Sequence, residues 1–361
     1  MRPRILDRYL GGAFLKMFAT CLGGFVALYI LVDFIERSSQ IFKADPAPLA
    51  VVLYFAYKLP LIVFQMIPVA CLLGSLLSLL ILARNSELTA IKAGGVPILR
   101  ASAPIIALAA LISVAGFLLN EYVVPAATQK REYIYKVDIK KQVWRAKYRK
   151  ENVFYRSGSA IYSFGLFVPE QNKISDVRMY RLDDRFRIAE RAVAASAQYQ
   201  NGHWMLVDGY RWVFEGHRLV DTAAFSVLPI ELMESPDDLK IYQRDPEEMS
   251  WRELRAYVGD LRRQGYDVTN YEVELHGKLA FPLVPIIMAI IGVPFAVRVG
   301  RSGGVAAGVG IAIVIGVMYW IMHGLALAVG KSGAIGPIMA AWSAHAVFGI
   351  GGLVGLVKVR Q

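Results

Sequence analysis

Cysteine is nearly absent from this sequence of 361 residues, which has only Cys21 and Cys71. Both fall inside apolar runs, so the polar middle of the chain has no disulfide to hold it and must fold around a core of its own. Histidine is scarce too, at five residues, and no spacing of His, Cys, Asp and Glu forms a metal-ligand cluster. A secretory cleavage site is missing: the apolar run from Leu10 is longer than a signal-peptide core and no small-x-small motif ends it, so it is expected to stay as a helix. A nucleotide-binding loop is missing as well. Val329-Gly330-Lys331-Ser332 has the ending of one, but Leu325 stands where the loop needs glycine, and no strand precedes it. No cofactor is expected, and any nucleotide energy has to come from another chain.

Apolar residues dominate, at 56% of the chain, and they lie in blocks. The runs are Leu10 to Ile35, Val51 to Leu82, Ile98 to Leu119, Leu279 to Val297, Gly304 to Val329 and Pro337 to Val357. Each is near or above the length a bilayer demands, which predicts six membrane-spanning helices. The second run is about 48 Å long at 1.5 Å per residue and carries Pro60 and Pro68, as a kinked or tilted helix would. Lys58, near its end, is expected to snorkel to the interface; facing the bundle instead, it could meet an anionic substrate.

The net charge of +11 raises the question of nucleic acid. Its location answers it: between Glu121 and His276 there are 24 Lys and Arg against 24 Asp and Glu, so the large polar region is neutral. The excess flanks the spans. With six crossings, Arg2, Arg4, Arg8, Lys16, Arg84, Lys92, Arg100, Arg298, Arg301, Lys358 and Arg360 fall on one side, and Arg37, Lys43, Lys58, Lys278 and Lys331 towards the other. That bias puts both termini and the two tight loops in the cytoplasm and the polar region outside.

The polar region has a different period. Val153 to Phe167 and Val177 to Leu182 are short, aromatic and β-branched, Asn201-Gly202 is a hairpin signal and a second turn sits at Glu215-Gly216-His217. An antiparallel sandwich, jelly roll or open barrel is predicted. From Ser250 a helix begins, with Ser250 and Glu253 as a capping box and Leu254, Tyr257, Val258 and Leu261 on one face; Gly265 ends it. The expected organisation is spans one to three over 1–120, with a loop at 83–96, a β domain over 121–248, a connector helix over 249–277, and spans four to six over 278–361.

Few residues suggest chemistry. Gly330-Lys331-Ser332-Gly333 with His345 beyond has the form of an intramembrane serine protease motif, but this Ser lies in a short turn between spans, away from any buried pocket. Asp33, His323 and His345 are ionisable residues in or at spans; a histidine satisfied by one neighbouring helix is the commoner case. The loop from Ala83 to Val96 reads as a short helix, capped by Asn85 or Ser86 and stopped by Gly94-Gly95, with Leu88 and Ile91 on one face. Two readings stay open for it: a helix that docks in a partner's groove, or a solvated connector.

Leu6-Asp7-Arg8-Tyr9-Leu10, the loop from Ser86-Glu87-Leu88 to Gly94-Gly95, and Lys278-Leu279-Ala280-Phe281-Pro282-Leu283 together resemble the LptF/LptG family of lipopolysaccharide export permeases, over nearly the whole chain. The opening residues are more like the LptG branch. The resemblance implies a membrane α-helical bundle of six transmembrane helices, three and three, with an inserted periplasmic antiparallel β-jellyroll-like domain, in the bacterial inner membrane. It implies a heterodimer with a second permease of the family and a separate cytoplasmic ATPase dimer, LptB, engaging the helix that holds Glu87, Leu88 and Ile91. It also implies a periplasmic LptC/LptA-like bridge that receives the lipid, with spans one and five lining the cavity shared with the second permease. It implies no catalytic residue and no metal. LptG proteins can carry a basic residue near the outer end of span one, where this chain has Asp33; Arg37, Lys43 and Lys58 are the candidate substitutes for contact with substrate phosphates. A membrane protease and a non-transporting scaffold are the alternative readings, and a scaffold has no need of the coupling loop.

Overall fold

The computed structural model describes residues 5–44, 46–140, 153–157, 160–164, 167–168, 173–183, 187–200, 203–216, 218–230, 245–263, 267–302 and 304–358. The chain divides into two compact units, one of Met1–Gln142 with Asp245–Gln361 and one of Val143–Arg244.

The first unit is helical. Among the described residues, six helices are long and apolar enough to cross a membrane. The first two are α1 (Ile5–Lys43) and α2 (Pro48–Arg84), and the short α3 (Glu87–Ala93) separates α2 from α4 (Ile98–Leu118). The third span does not stop where its apolar run ends: a π-turn at Leu119–Val123 leads into α5 (Val124–Tyr133) and a second π-turn at Ile134–Ile139. After the β unit come the amphipathic α6 (Trp251–Arg263), then α7 (Thr269–Ala280), which passes through a tight turn at Phe281–Leu283 into α8 (Val284–Ser302) as the fourth span. The last two spans are α9 (Val305–Lys331) and α10 (Pro337–Lys358).

The core runs along α2 and α8, which pack most extensively against each other. Leu72, Leu76 and Leu79 of α2 and Val284, Met288 and Val293 of α8 are fully buried. Lipid tails are as apolar as leucine, so this seam is held by close packing more than by water exclusion. Small residues make the close approach: a methyl group at Gly292 would run into Ser75 Oγ and lie 3.0 Å from the Leu72 carbonyl oxygen. Pro60 and Pro68 lie inside α2, whose helix continues through both.

Local chemistry sets the helix ends. The capping box expected at Ser250 is present, with the Glu253 N–H donating to Ser250 Oγ (3.2 Å) and the Ser250 N–H to Glu253 Oε2 (3.0 Å). Leu254, Val258 and Leu261 are the buried stripe of α6; Gly265 lies outside the described residues. The Asp267 carboxylate accepts from the Thr269 N–H (2.9 Å) and hydroxyl (2.6 Å) at the start of α7, which holds it below its usual acidity range.

The second unit is an antiparallel sheet of β1 (Val153–Ser157), β2 (Ala160–Phe164), β3 (Phe167–Val168), β4 (Lys173–Leu182), β5 (Ile188–Gln200), β6 (His203–Glu215) and β7 (Arg218–Ile230). The order is β1-β2-β4-β5-β6-β7, with β3 also on β4. One face is buried by Tyr162, Ile174, Met179, Ala192, Trp204 and Leu206, so the domain has a core without a disulfide. Alternation breaks at a common level across the strands. Asp176 and Asp208 take left-handed backbone angles, which short polar side chains tolerate, and β4 buries Ile174 on one side of the break and Val177 and Met179 on the other. Gln200 pairs with His203; the predicted Asn201-Gly202 turn lies outside the described residues. At the second predicted turn, Glu215 pairs with Arg218 and Gly216 has φ +64, a left-handed angle that glycine adopts without strain; His217 lies outside the described residues.

Candidate functional site

Two clusters of polar side chains in the helical unit bear on the predicted site residues. The first joins α1 to α2. Lys58 does not snorkel: it is 4% exposed, and its Nζ donates to Asp33 Oδ2 at 2.6 Å. One turn on, Arg37 Nε donates to the other oxygen of Asp33 at 3.0 Å. A buried ammonium is tolerated in a span only when paired, and Asp33 supplies the partner, which is why Lys58 can face the bundle. Tyr29 places its ring 5.7 Å from Lys58 Nζ, and buried Tyr54 lies against Tyr135 with ring centroids 5.6 Å apart. Of the three predicted phosphate contacts, the structure brings Arg37 and Lys58 together on one carboxylate; the Lys43 side chain lies outside the described residues. Two cations on one anion leave the cluster with one positive charge in excess.

The second cluster is at α3. Leu88 is turned inwards, 5% exposed within the bundle core, and Ile91 packs beside it. Glu87 is gripped from both sides: the Tyr9 hydroxyl donates to Oε2 (2.5 Å) and Asn85 Nδ2 to Oε1 (3.3 Å). The expected side-chain cap is not what starts this helix. Ser86 has a left-handed φ of 62 and its hydroxyl caps nothing, so the turn is set by backbone geometry while Asn85 bonds the Glu87 carboxylate. Gly95, at φ +80, stops the helix, as the glycine pair predicts. Arg100 clamps the start of α4 to α1 through two bonds to Asp7, at 2.7 and 3.0 Å. Tyr9 and Asp7 thus fix the loop to the opening residues of the chain, and Thr89, Ala90, Lys92 and Ala93 form the exposed face of α3.

Neither alternative chemistry assembles. Ser332 is exposed and its hydroxyl donates to the Val329 carbonyl at 2.8 Å, so it ends α9 as a turn residue. His323 and His345 are buried in an aromatic cluster: the His323 ring stacks on Tyr319 and His345 Nε2 lies 3.5 Å from the Tyr319 hydroxyl. Among the described residues no group of three or more His, Cys, Asp or Glu could hold a metal ion.

Glu121, unnoticed in the sequence as a structural residue, is buried in the π-turn of the third span. It accepts from the backbone N–H of Trp251 (2.8 Å) and of Arg252 (3.4 Å) and pairs with the Arg252 guanidinium. A carboxylate at a helix N-terminus satisfies orphan donors and opposes the helix dipole. Gln129 adds a second tie, donating to the Glu248 carbonyl at 2.8 Å. The signal available in sequence was an acid just past the apolar run from Ile98 to Leu119, which reads equally well as an interfacial residue.

Six spans set three and three about a β unit, with a short helix between spans two and three, match one family along residues 8–358: the lipopolysaccharide export system permease LptF/LptG. The chain belongs to this family. It is similar to the lipopolysaccharide export system permease protein LptG of Haemophilus influenzae, at 24% identity over 328 residues covering 88% of each chain. It is similar also to LptG of Escherichia coli K12, at 21% identity over 334 residues and again 88% of each. The matched region takes in Asp33, Arg37, Lys58, Glu87 and the β unit.

Proposed function

We propose that this chain is a permease subunit of an exporter that extracts lipopolysaccharide from the inner membrane and passes it to a periplasmic bridge. The observation that carries this is the family match over residues 8–358. The subunit is not itself catalytic. Energy enters through a separate cytoplasmic ATPase dimer that docks on α3: Leu88 and Ile91 seat the helix on its own bundle, Glu87 and Tyr9 fix its pitch, and the exposed face meets the partner. Movement of α3 then reaches α1 directly through Tyr9, and α4 follows α1 through Asp7 and Arg100.

A second permease of the family completes the cavity. In support, the most apolar stretch of α1 is 6% buried within the chain and that of α2 72%, so the first span has an open flank for a partner to cover. Lipid phosphates meet the cluster of Arg37 and Lys58 at Arg37, whose side chain is 39% exposed, where the positive excess left after the pairing of Lys58 with Asp33 supplies attraction. The termini and α3 face the cytoplasm, and the β unit faces the periplasm and delivers the lipid to an LptC/LptA-like bridge.

Affinity purification of the tagged full chain in mild detergent tests this reading. Recovery of a second permease and a nucleotide-hydrolysing subunit is expected. Recovery of neither, with the chain itself intact, would overturn it.

A further inference from the structure

One unassigned feature is a groove between α8, α9 and α10, a cavity of about 440 Å³. Its walls are apolar, from Ile291 and Phe295 of α8, Ile315 and Met318 of α9, and Val347 of α10, while Arg298 and Lys358 stand at its mouth. Those cations lie towards the same end of the groove, because α8 and α10 run parallel, as Gly352 on Ile291 and Gly355 on Pro294 show, with Arg298 one turn before the end of α8 and Lys358 the last residue of α10. Phe64 packs against Phe281 with ring centroids 5.0 Å apart, and Ser75 meets Gly292 further along. That direction places Arg298 towards the Arg84 end of α2, away from Lys58. The groove is therefore distinct from the Asp33 cluster.

Glycines shape it. A methyl group on Gly352 would press on Ile291, at 2.8 Å, and one on Gly355 on Pro294, at 3.1 Å, so these two bring α10 down onto α8 as a floor. Gly351 has no heavy atom within 4 Å of where a side chain would begin, so the trough is open above it. Among the described residues, neither Arg298 nor Lys358 has an acidic partner within ion-pair distance.

We infer that this groove holds an anionic glycerophospholipid, with its phosphate between Arg298 and Lys358 and one acyl chain along Gly351. Three features select that occupant. The volume falls in the range of small-molecule sites, about 300–1,000 Å³, the lining suits a hydrocarbon chain, and basic residues at one end of an inter-helix pocket favour anionic head groups. Arginine adds a planar fork that matches phosphate oxygens. The lipid would wedge the last three spans together, and the inference stands independently of what the permease transports.

Native mass spectrometry of the delipidated full chain, titrated with phosphatidylglycerol or with phosphatidylcholine of identical acyl chains, tests it. Wild type is expected to retain phosphatidylglycerol preferentially. Each charge near the head group is worth about fivefold, so Arg298→Gln with Lys358→Gln should lower that preference by about 30-fold. Arg298→Lys should retain most of it, and Gly351→Trp should abolish binding of both lipids with the charges intact. Circular dichroism and size-exclusion profiles matching wild type establish that each variant is folded. Equal retention of the two lipids by wild type, an undiminished preference in the double variant, full binding by Gly351→Trp, or displacement of phosphatidylglycerol by stoichiometric lipopolysaccharide would each overturn the inference.

Discussion

Replacing Lys58 with methionine keeps the length of the side chain and removes its charge. Asp33 is 7% exposed and would lose the nearer of its two cations, the ammonium at 2.6 Å, while keeping Arg37 at 3.0 Å. Breaking a buried pair costs about 3–5 kcal/mol, because the remaining charge is left uncompensated. The surviving Arg37 bond, whose side chain is 39% exposed, places the loss near the lower end, at about 3 kcal/mol. Adding Asp33→Asn removes the stranded charge, and the double variant is expected within about 1 kcal/mol of wild type, since a buried pair is nearly neutral against an uncharged replacement. Equilibrium unfolding in mixed detergent micelles gives all four corners of the cycle, with an expected coupling above about 2 kcal/mol. If Lys58→Met unfolds within about 0.5 kcal/mol of wild type, or if the double variant loses as much as the single, Asp33 is not a buried charge that needs Lys58 and the argument for the cluster fails.

Glu87→Lys should leave the chain inserted but reduce ATPase co-purification and lipid export, with a milder loss for Tyr9→Phe; unchanged association in both would refute the coupling role. Glu121→Ala should cost about 1–2 kcal/mol and speed amide exchange at the start of α6, as loss of a helix cap does, and unaltered exchange there would remove Glu121 from that role. Gly292→Ala should destabilise the α2–α8 seam by about 1–3 kcal/mol through overpacking, and Ser75→Ala should recover part of it, since Ser75 Oγ is the first atom the new methyl meets; absence of rescue would place the strain elsewhere. In a chain with Cys21 and Cys71 replaced, a cysteine at Thr222 should react with an impermeant reagent from outside the inner membrane and one at Gly304 only after that membrane is opened. The reverse pattern would invert the topology and with it the exporter reading.

Much of this was readable from residues. Bilayer thickness forces long apolar runs, so six spans stand out from composition alone, and turn chemistry at Gly216 located a hairpin of the sheet. The capping box at Ser250 and the stop at Gly95 are local rules that tertiary structure left intact. Pairing was harder to see. Lys58 and Asp33 lie 25 positions apart on different helices, and no periodicity reveals which face of a uniformly apolar helix meets its neighbour, so a snorkelling lysine was the natural expectation. The third span hid its length for a related reason: Asn120 and Glu121 end the apolar run, while the backbone continues helical to Ile139. Ser86 defeated the capping rule because its left-handed backbone turns the hydroxyl away from the donors it would cap.

The Asp33–Lys58 pair lies entirely within the first two spans, and this matters for the order in which the protein is made. The fourth span, α8, begins about two hundred residues after α2 ends, so at about 5–20 residues per second α2 waits roughly 10–40 s for its main packing partner. Its leucines are at ease in lipid meanwhile, but a lone ammonium would not be. With Asp33 already in place on α1, the nascent half-bundle reaches the membrane with that charge balanced, and α2 can remain inserted until the second half of the chain arrives.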